Sequence, residues 1–461
     1  MKRGSSILLL AVAALGLWAA AQMHGPLLES RRKHHLNWEE PLENSPPLVS
    51  FTTVALGGFR GIIADVLWLR ARQLQEEKKF FELVQLSDWI TKLEPRFALV
   101  WAFHGWNMAY NVSVMLDDPG DRWRWVRHGV ELLRDEGLLY NPGDPGLYHE
   151  LGWLFQHKMG GFLDQAHMHY KQRWAAEMME LWGDEPGPDF ARAMADPADP
   201  RAQRMIREYK LLPEIMQQVD AQYGPLDWRL PQAHAIYWAW RGKKYAKGFD
   251  EVRMDRMIFQ SMQDAFREGE LLFNREEQIF LPGPNLALLP RVRKAYEQAL
   301  SAHPDEDSIK SAYRNFLEAA TLVFYTNGRL TEAEGLYRKR CELAGERPPA
   351  RPLAQFAYAK LTENMGQLSR DEALAYVEGL CFQSYRWLAI GEDERAAGLQ
   401  QLARLCWERY QEKHADEKQQ ERVGLPPLEQ ICRQAQQRAR DSLRSEPARK
   451  RLQTATNPPV L

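Results

Sequence analysis

From about residue 60 almost to the C-terminus, apolar residues recur at helical spacing with few breaks, and no sustained alternating run marks a strand. No Asn-Gly dipeptide joins two alternating runs, so the strongest hairpin signal is missing. A chain patterned this way buries its apolar stripes only by packing helix on helix. The predicted fold class is all-α. Two proline-rich stretches interrupt the pattern and are expected to be loops or hinges. One spans 183–200, with Pro186, Pro188, Pro197 and Pro200, and the other spans 281–290, with Pro282, Pro284 and Pro290.

The amino end carries an address. Lys2 and Arg3 precede the unbroken apolar run from Ile7 to Ala21, whose 15 residues match the core of a signal peptide. The run is short of the ~20 residues of a typical membrane span. Ala19-Ala20-Ala21 before Gln22 offers a cleavage site, and an uncleaved anchor is the alternative. Either way, residues 1–22 are expected to place the body outside the cytoplasm, periplasmic or secreted. Residues 23–58, with four prolines and the basic cluster Arg31, Arg32 and Lys33, read as a linker. The basic residues total 60 against 62 acidic, a net charge of −2. That balance gives no field to recruit nucleic acid, and no nucleic-acid partner is expected. The four cysteines, Cys341, Cys381, Cys406 and Cys432, show no CxxC spacing. They read as small core residues, with one or two disulfides open to them in an oxidising compartment.

Internal repetition organises the rest. Tyr148-x2-Leu151-Gly152-x2-Phe155 is followed by Ala166-x3-Tyr170, and upstream lies Trp101-x2-His104-Gly105-x2-Met108. The step from Pro95 to Trp101 equals that from Pro142 to Tyr148. Leu67 to Trp101 is 34 residues, while Trp101 to Tyr148 is 47. That difference calls for an insertion, placed near Asp117-Asp118-Pro119-Gly120. A second cluster has Leu317, Ala320 and Phe324, a turn at Gly328, then Ala333-x3-Tyr337, and a further unit has Gly366 and Ala373-x3-Val377. These residues resemble the tetratricopeptide repeat family. The resemblance implies an α-solenoid of degenerate helix pairs, with repeats over 59–182 and 301–440. An irregular helical middle region (183–300) lies between them, and a disordered tail (441–461) follows.

In that family the first helix of each pair faces a concave groove. Carried onto this chain, the resemblance places Trp68, Arg72, Trp106, Tyr110, His149, Trp153 and His157 there. Nine of the sixteen tryptophans lie between Trp68 and Trp182. They serve either as core or as lining of that groove, with Trp123 and Trp125 able to cover it. An aromatic groove suits an extended peptide, a partner helix or a glycan. No phosphate loop, nucleophile elbow or dinucleotide fingerprint is present, and His149-Glu150 does not extend to HExxH. His167 and His169 splay about 200° apart on a helix and cannot share an ion, so no metal or cofactor is expected. The expected function is a membrane-associated scaffold for another protein or a peptide segment, without enzyme activity. An α/α enzyme or binding protein acting on envelope glycans, and a self-assembling repeat protein, remain open.

Overall fold

A computed structural model describes residues 59–454, except 197, 275–278, 347, 364 and 415–423, with a few isolated positions before residue 34. The signal or anchor (1–22) and the linker (23–58) therefore lie, apart from those positions, outside the described residues. Among the described residues no helix is long and apolar enough to cross a membrane.

The described residues are all-α apart from one small hairpin. In order come α1 (Phe59–Glu76), α2 (Phe80–Leu93), α3 (Ala98–Trp106), α4 (Pro119–Glu131), α5 (Pro145–Trp153) and α6 (His167–Trp182). Three shorter helices follow: α7 (Phe190–Ala195), α8 (Pro200–Arg207) and α9 (Pro213–Tyr223). Next are α10 (Pro231–Lys243), α11 (Phe249–Glu268), and the strands β1 (Glu270–Asn274) and β2 (Ile279–Gly283). The remainder is α12 (Leu289–Ala302), α13 (Asp307–Thr326), α14 (Leu330–Ala344), α15 (Leu353–Leu361), α16 (Arg370–Ile390), α17 (Asp393–Lys413), α18 (Leu428–Ser442) and α19 (Glu446–Thr454).

Aspartate–proline pairs start three of these helices. Asp118, Asp144 and Asp199 each accept a backbone N–H of the first turn through a side-chain oxygen, and Pro119, Pro145 and Pro200 open the helix behind them. Proline has no N–H to lose there and its φ suits the helix. Ser369 and Glu372 close a reciprocal capping box on α16. The equal proline-to-aromatic steps acquire a physical cause. The Trp101 indole N–H donates to the Pro95 carbonyl at 2.8 Å, and the Tyr148 hydroxyl donates to the Pro142 carbonyl at 3.1 Å. Each aromatic fixes the entry of its own helix.

Gly105, a repeat position, and Gly129 sit where two helices cross closely. A Cβ on Gly129 of α4 would lie 2.8 Å from the Gly105 carbonyl oxygen of α3, and one on Gly105 would lie 2.9 Å from the Leu133 side chain. Backbone cannot retreat as a side-chain end can. Gly129→Ala gains about 1 kcal/mol of helix propensity but overpacks the crossing at about 2–3 kcal/mol. We expect a net loss of about 1–2 kcal/mol in urea unfolding, with Gly105→Ala milder. Equal or stabilising effects of Gly129→Ala would disprove this close approach.

Several expectations are corrected. The extra length between Trp101 and Tyr148, expected near Asp117-Asp118-Pro119-Gly120, is not confined to that segment. It lies in longer helices: α3 runs on through a π-helical turn (Asn107–Val112), and α4 through another (Leu132–Gly137) to Tyr140. The middle region, irregular by sequence, contains the helix pair α10 and α11, which packs on α5. Gly242 makes that possible, since a Cβ there would meet Tyr148 Cβ at 2.5 Å. One core accordingly runs from Trp101 to Leu336, and Phe190 and Ala193, within the stretch expected as a loop or hinge (183–200), pack against it. The β-hairpin, which no alternating pattern announced, pairs Glu270 with Gly283 through Asn274 with Ile279. It is held from outside: the Leu271 N–H donates to Asp227 and its carbonyl accepts from Arg229. Within the tail expected to be disordered (441–461), Glu446–Thr454 form α19, because Ala448 and Leu452 bury against the second core, which spans Met365 to Leu452, while 455–461 lie outside the described residues.

Candidate functional site

Five of the seven expected groove residues form one column of rings across two helices. Trp106 stacks on Tyr110 (centroids 5.6 Å, 23°), and Tyr110 meets His157 (5.7 Å, 37°). His157 stacks on Trp153 (4.5 Å, 8°), and Trp153 on His149 (6.4 Å, 10°). All five are half-buried. Trp106 and Tyr110 belong to α3 and its π turn, and the other three to α5 and its own π turn (Leu154–Met159). Four residues overshoot an α-helical turn of 3.6 and fall short of the wider π turn. A helix passing from α into π therefore keeps positions 149, 153 and 157 in line.

The column is hydrogen-bonded as well as stacked. The Tyr110 hydroxyl and His157 Nδ1 are 2.9 Å apart. Burial raises the Tyr110 pKa, with Glu150 adding to the effect, and burial beside Lys158 lowers that of His157. A protonated phenol and a neutral imidazole thus share this hydrogen bond. At the other end Arg253 of α11 donates to His149 Nδ1 at 3.1 Å and lies 3.8 Å from Glu150.

A buried charge cluster fixes the column from behind. Lys158, 3% exposed, reaches Asp164 at 2.6 Å and lies 5.1 Å from the Tyr110 ring centroid. Asp164 also pairs with Arg122 at 3.0 Å and accepts the Ala166 N–H at 2.8 Å. Burial pushes the Asp164 pKa upward, but the Lys158 and Ala166 bonds and the nearby Arg122 outweigh it and leave the carboxyl below its usual range. Burial lowers the Lys158 pKa, opposed by Asp164. These residues escaped sequence reading, because a lysine six residues from an aspartate carries no distinctive signal.

Trp68 and Arg72 do not join the column. Trp68 packs edge-on against Phe103 at 5.0 Å, in a small separate core between α1, α2 and α3, and Arg72 is exposed. Trp123 and Trp125 do not cover the column either: Trp123 packs on Tyr170 and Trp125 on Phe81. Among the described residues no group of three or more His, Cys, Asp or Glu side chains could hold a metal ion. His104 is buried with neither ring nitrogen hydrogen-bonded to a described residue, and burial pushes its pKa down to about 4.

A separate cleft of about 520 Å³ lies between the loop after α6, the β-hairpin and the start of α17. Asp227, Arg229, Glu270, Glu392 and Arg395 line it. Both of its arginines are already paired within it: Arg229 with Asp227, and Arg395 with Glu270 and Glu392. No column residue lines this cleft. No family model and no curated protein matches this chain.

Proposed function

We propose that this protein is an extracytoplasmic, membrane-associated scaffold of tetratricopeptide-like helix pairs that binds an extended segment of a partner protein across the Trp106–Tyr110–His157–Trp153–His149 column. The observation that carries the reading is the convergence of those five side chains from two helices into one half-exposed stack. Aromatic faces held by a rigid support lose little entropy on binding, and indole and arginine dominate interface energetics. Arg253 supplies the cation at one end. At the His149 end Glu150 and Asp250 lie 3.8 and 3.2 Å from Arg253, and carboxylates tied to one cation favour binding over glycan hydrolysis, which needs an acid and a base or nucleophile free to react. The packing of α1 on α2, α10 on α11, α13 on α14 and α16 on α17 as neighbouring helix pairs supports the reading. The membrane and compartment parts of the proposal rest on the apolar run Ile7–Ala21 alone.

The test is crosslinking in native membranes followed by affinity capture, comparing wild type with Trp106→Ala/Trp153→Ala and Trp106→Tyr/Trp153→Tyr. We expect one protein captured by wild type to fall at least ~10-fold with the alanine pair, a loss of about 1.4 kcal/mol or more, and to persist with the tyrosine pair. Circular dichroism checks that both variants fold. Equal capture by a folded alanine variant defeats the proposal. Capture of only the chain itself moves self-assembly to the front.

A further inference from the structure

The four cysteines are not equivalent. Cys341 is buried against Tyr337 and Phe356, and Cys406 is buried within the second core. Cys381 of α16 is fully buried, Cys432 in the first turns of α18 is half-buried, and their Sγ atoms are 3.3 Å apart. A disulfide needs about 2.05 Å between sulfurs, and small side-chain rotations cover the difference. The two helices already pack side by side along this seam.

We propose that Cys381 and Cys432 are a dithiol–disulfide pair that staples the C-terminal helices α18 and α19 to α16. The oxidant is a disulfide of the glutathione class or a disulfide-carrying oxidoreductase. The Cys432 thiolate, the more exposed of the two, attacks one sulfur of that disulfide. A mixed disulfide forms on Cys432 and the first thiol leaves. Cys381 then loses its proton and attacks Cys432 Sγ, expelling the second thiol. The protein gives up two protons and two electrons, and the oxidant's disulfide becomes two thiols.

The surroundings suit this order of events. The Cys381 thiol and the Tyr385 hydroxyl hydrogen-bond to Cys432 and lower its pKa, whereas the hydrogen bond to Cys432 and burial raise that of Cys381. The attacking sulfur should be the thiolate, and the resolving one is protected until the mixed disulfide forms. The staple has structural work to do at this seam. The face that α18 buries consists of Ile431, Ala435 and Ala439, two of them alanines with little apolar surface. The loop closed by the bond separates the cysteines by 51 positions, long enough for a substantial entropic effect on the unfolded chain. The inference concerns the second core and stands apart from the aromatic column.

The full chain is incubated either with oxidised glutathione or with a phosphine reductant, then alkylated under denaturing conditions and mapped by mass spectrometry. The expected result is a Cys381–Cys432 crosslinked peptide after oxidation, with Cys341 and Cys406 alkylated in both samples. The oxidised protein should melt about 5 °C higher. Cys432→Ser should abolish that difference while melting within about 1 °C of the reduced wild type. Alkylation of both Cys381 and Cys432 after oxidation, a persistent glutathione adduct on Cys432, or equal melting of the oxidised and reduced wild type overturns the proposal.

Discussion

Brought from pH 6.5 to pH 4, the protein is expected to lose about 4 kcal/mol of stability, chiefly through His104 and His234. Both rings are buried, at 1% and 0% exposure, and burial lowers each pKa from the ordinary 6.5 to about 4. His234 keeps one partner, donating from Nε2 to the Trp228 carbonyl at 2.8 Å, and its Nδ1 meets none among the described residues. A depressed histidine contributes stability that is present above 6.5 and lost as the pH falls through about 4. Each shift corresponds to about 3 kcal/mol. Asp264 opposes them: burial raises its pKa from 3.8 to about 6, so it favours the folded state as the pH falls through that range. Asp264 keeps part of its surface in solvent, and its share is discounted to about 1–2 kcal/mol. Two histidines outweigh one aspartate, and the net slope is a loss on acidification.

The measurement is the urea midpoint between pH 4 and 7.5 for wild type, His104→Leu and Asp264→Asn. His104→Leu removes one titration of about 3 kcal/mol and two nitrogens that meet no partner among the described residues, and should cut the net loss on acidification from about 4 to about 1 kcal/mol. Asp264→Asn should stabilise the protein at pH 7.5 by about 1–2 kcal/mol and leave it unchanged near pH 4. If His104→Leu leaves the slope intact, the ring is solvated or partnered and the linkage is wrong.

Much of the fold was legible because its signals are local. Helix starts were written as Asp-Pro pairs, even where they read as loop, and the turn at Gly328 has the positive φ of 73° that favours glycine. The five column residues were named only through the repeat resemblance, which aligned Trp106 with Trp153 as groove positions, and their stacking into one column had no signal of its own. What stayed hidden depends on distant partners. Residues 107–112 and 154–159 look like ordinary helix, and their π geometry is set by packing. β1 reads Glu-Leu-Leu-Phe-Asn, without alternation, and is a strand because Asp227 and Arg229 bond its backbone. Trp68 was placed by register, but Phe103 claims its ring. The approach of Cys381 to Cys432 spans 51 positions, with no local trace.

That dependence of the hairpin on two side chains makes Arg229→Met the most damaging single change expected. Arg229 is 5% exposed and Asp227 6%. Its Nε and Nη2 donate to both carboxylate oxygens of Asp227 at 2.9 and 2.7 Å, Nη2 also donates to the Leu271 carbonyl at 2.9 Å, and Nη1 to the Asp184 carbonyl. Asp227 in turn accepts the Leu271 N–H at 2.9 Å. Removing the guanidinium leaves a buried carboxylate without its cation, a loss of about 3–5 kcal/mol. Removing both charges, as Asp227→Leu/Arg229→Met, takes away the uncompensated ion but orphans the Leu271 amide at about 1–3 kcal/mol. The double variant should therefore be more stable than Arg229→Met alone, yet below wild type, and urea unfolding of the cycle measures the coupling. Hydrogen exchange adds location: the amides of β1 should lose protection first, since their anchor is this pair rather than their own sequence. A double variant less stable than Arg229→Met would mean that the carboxylate keeps enough water to stand alone, and that the hairpin is held chiefly by Phe280 and Leu271 in the apolar cluster with Leu230.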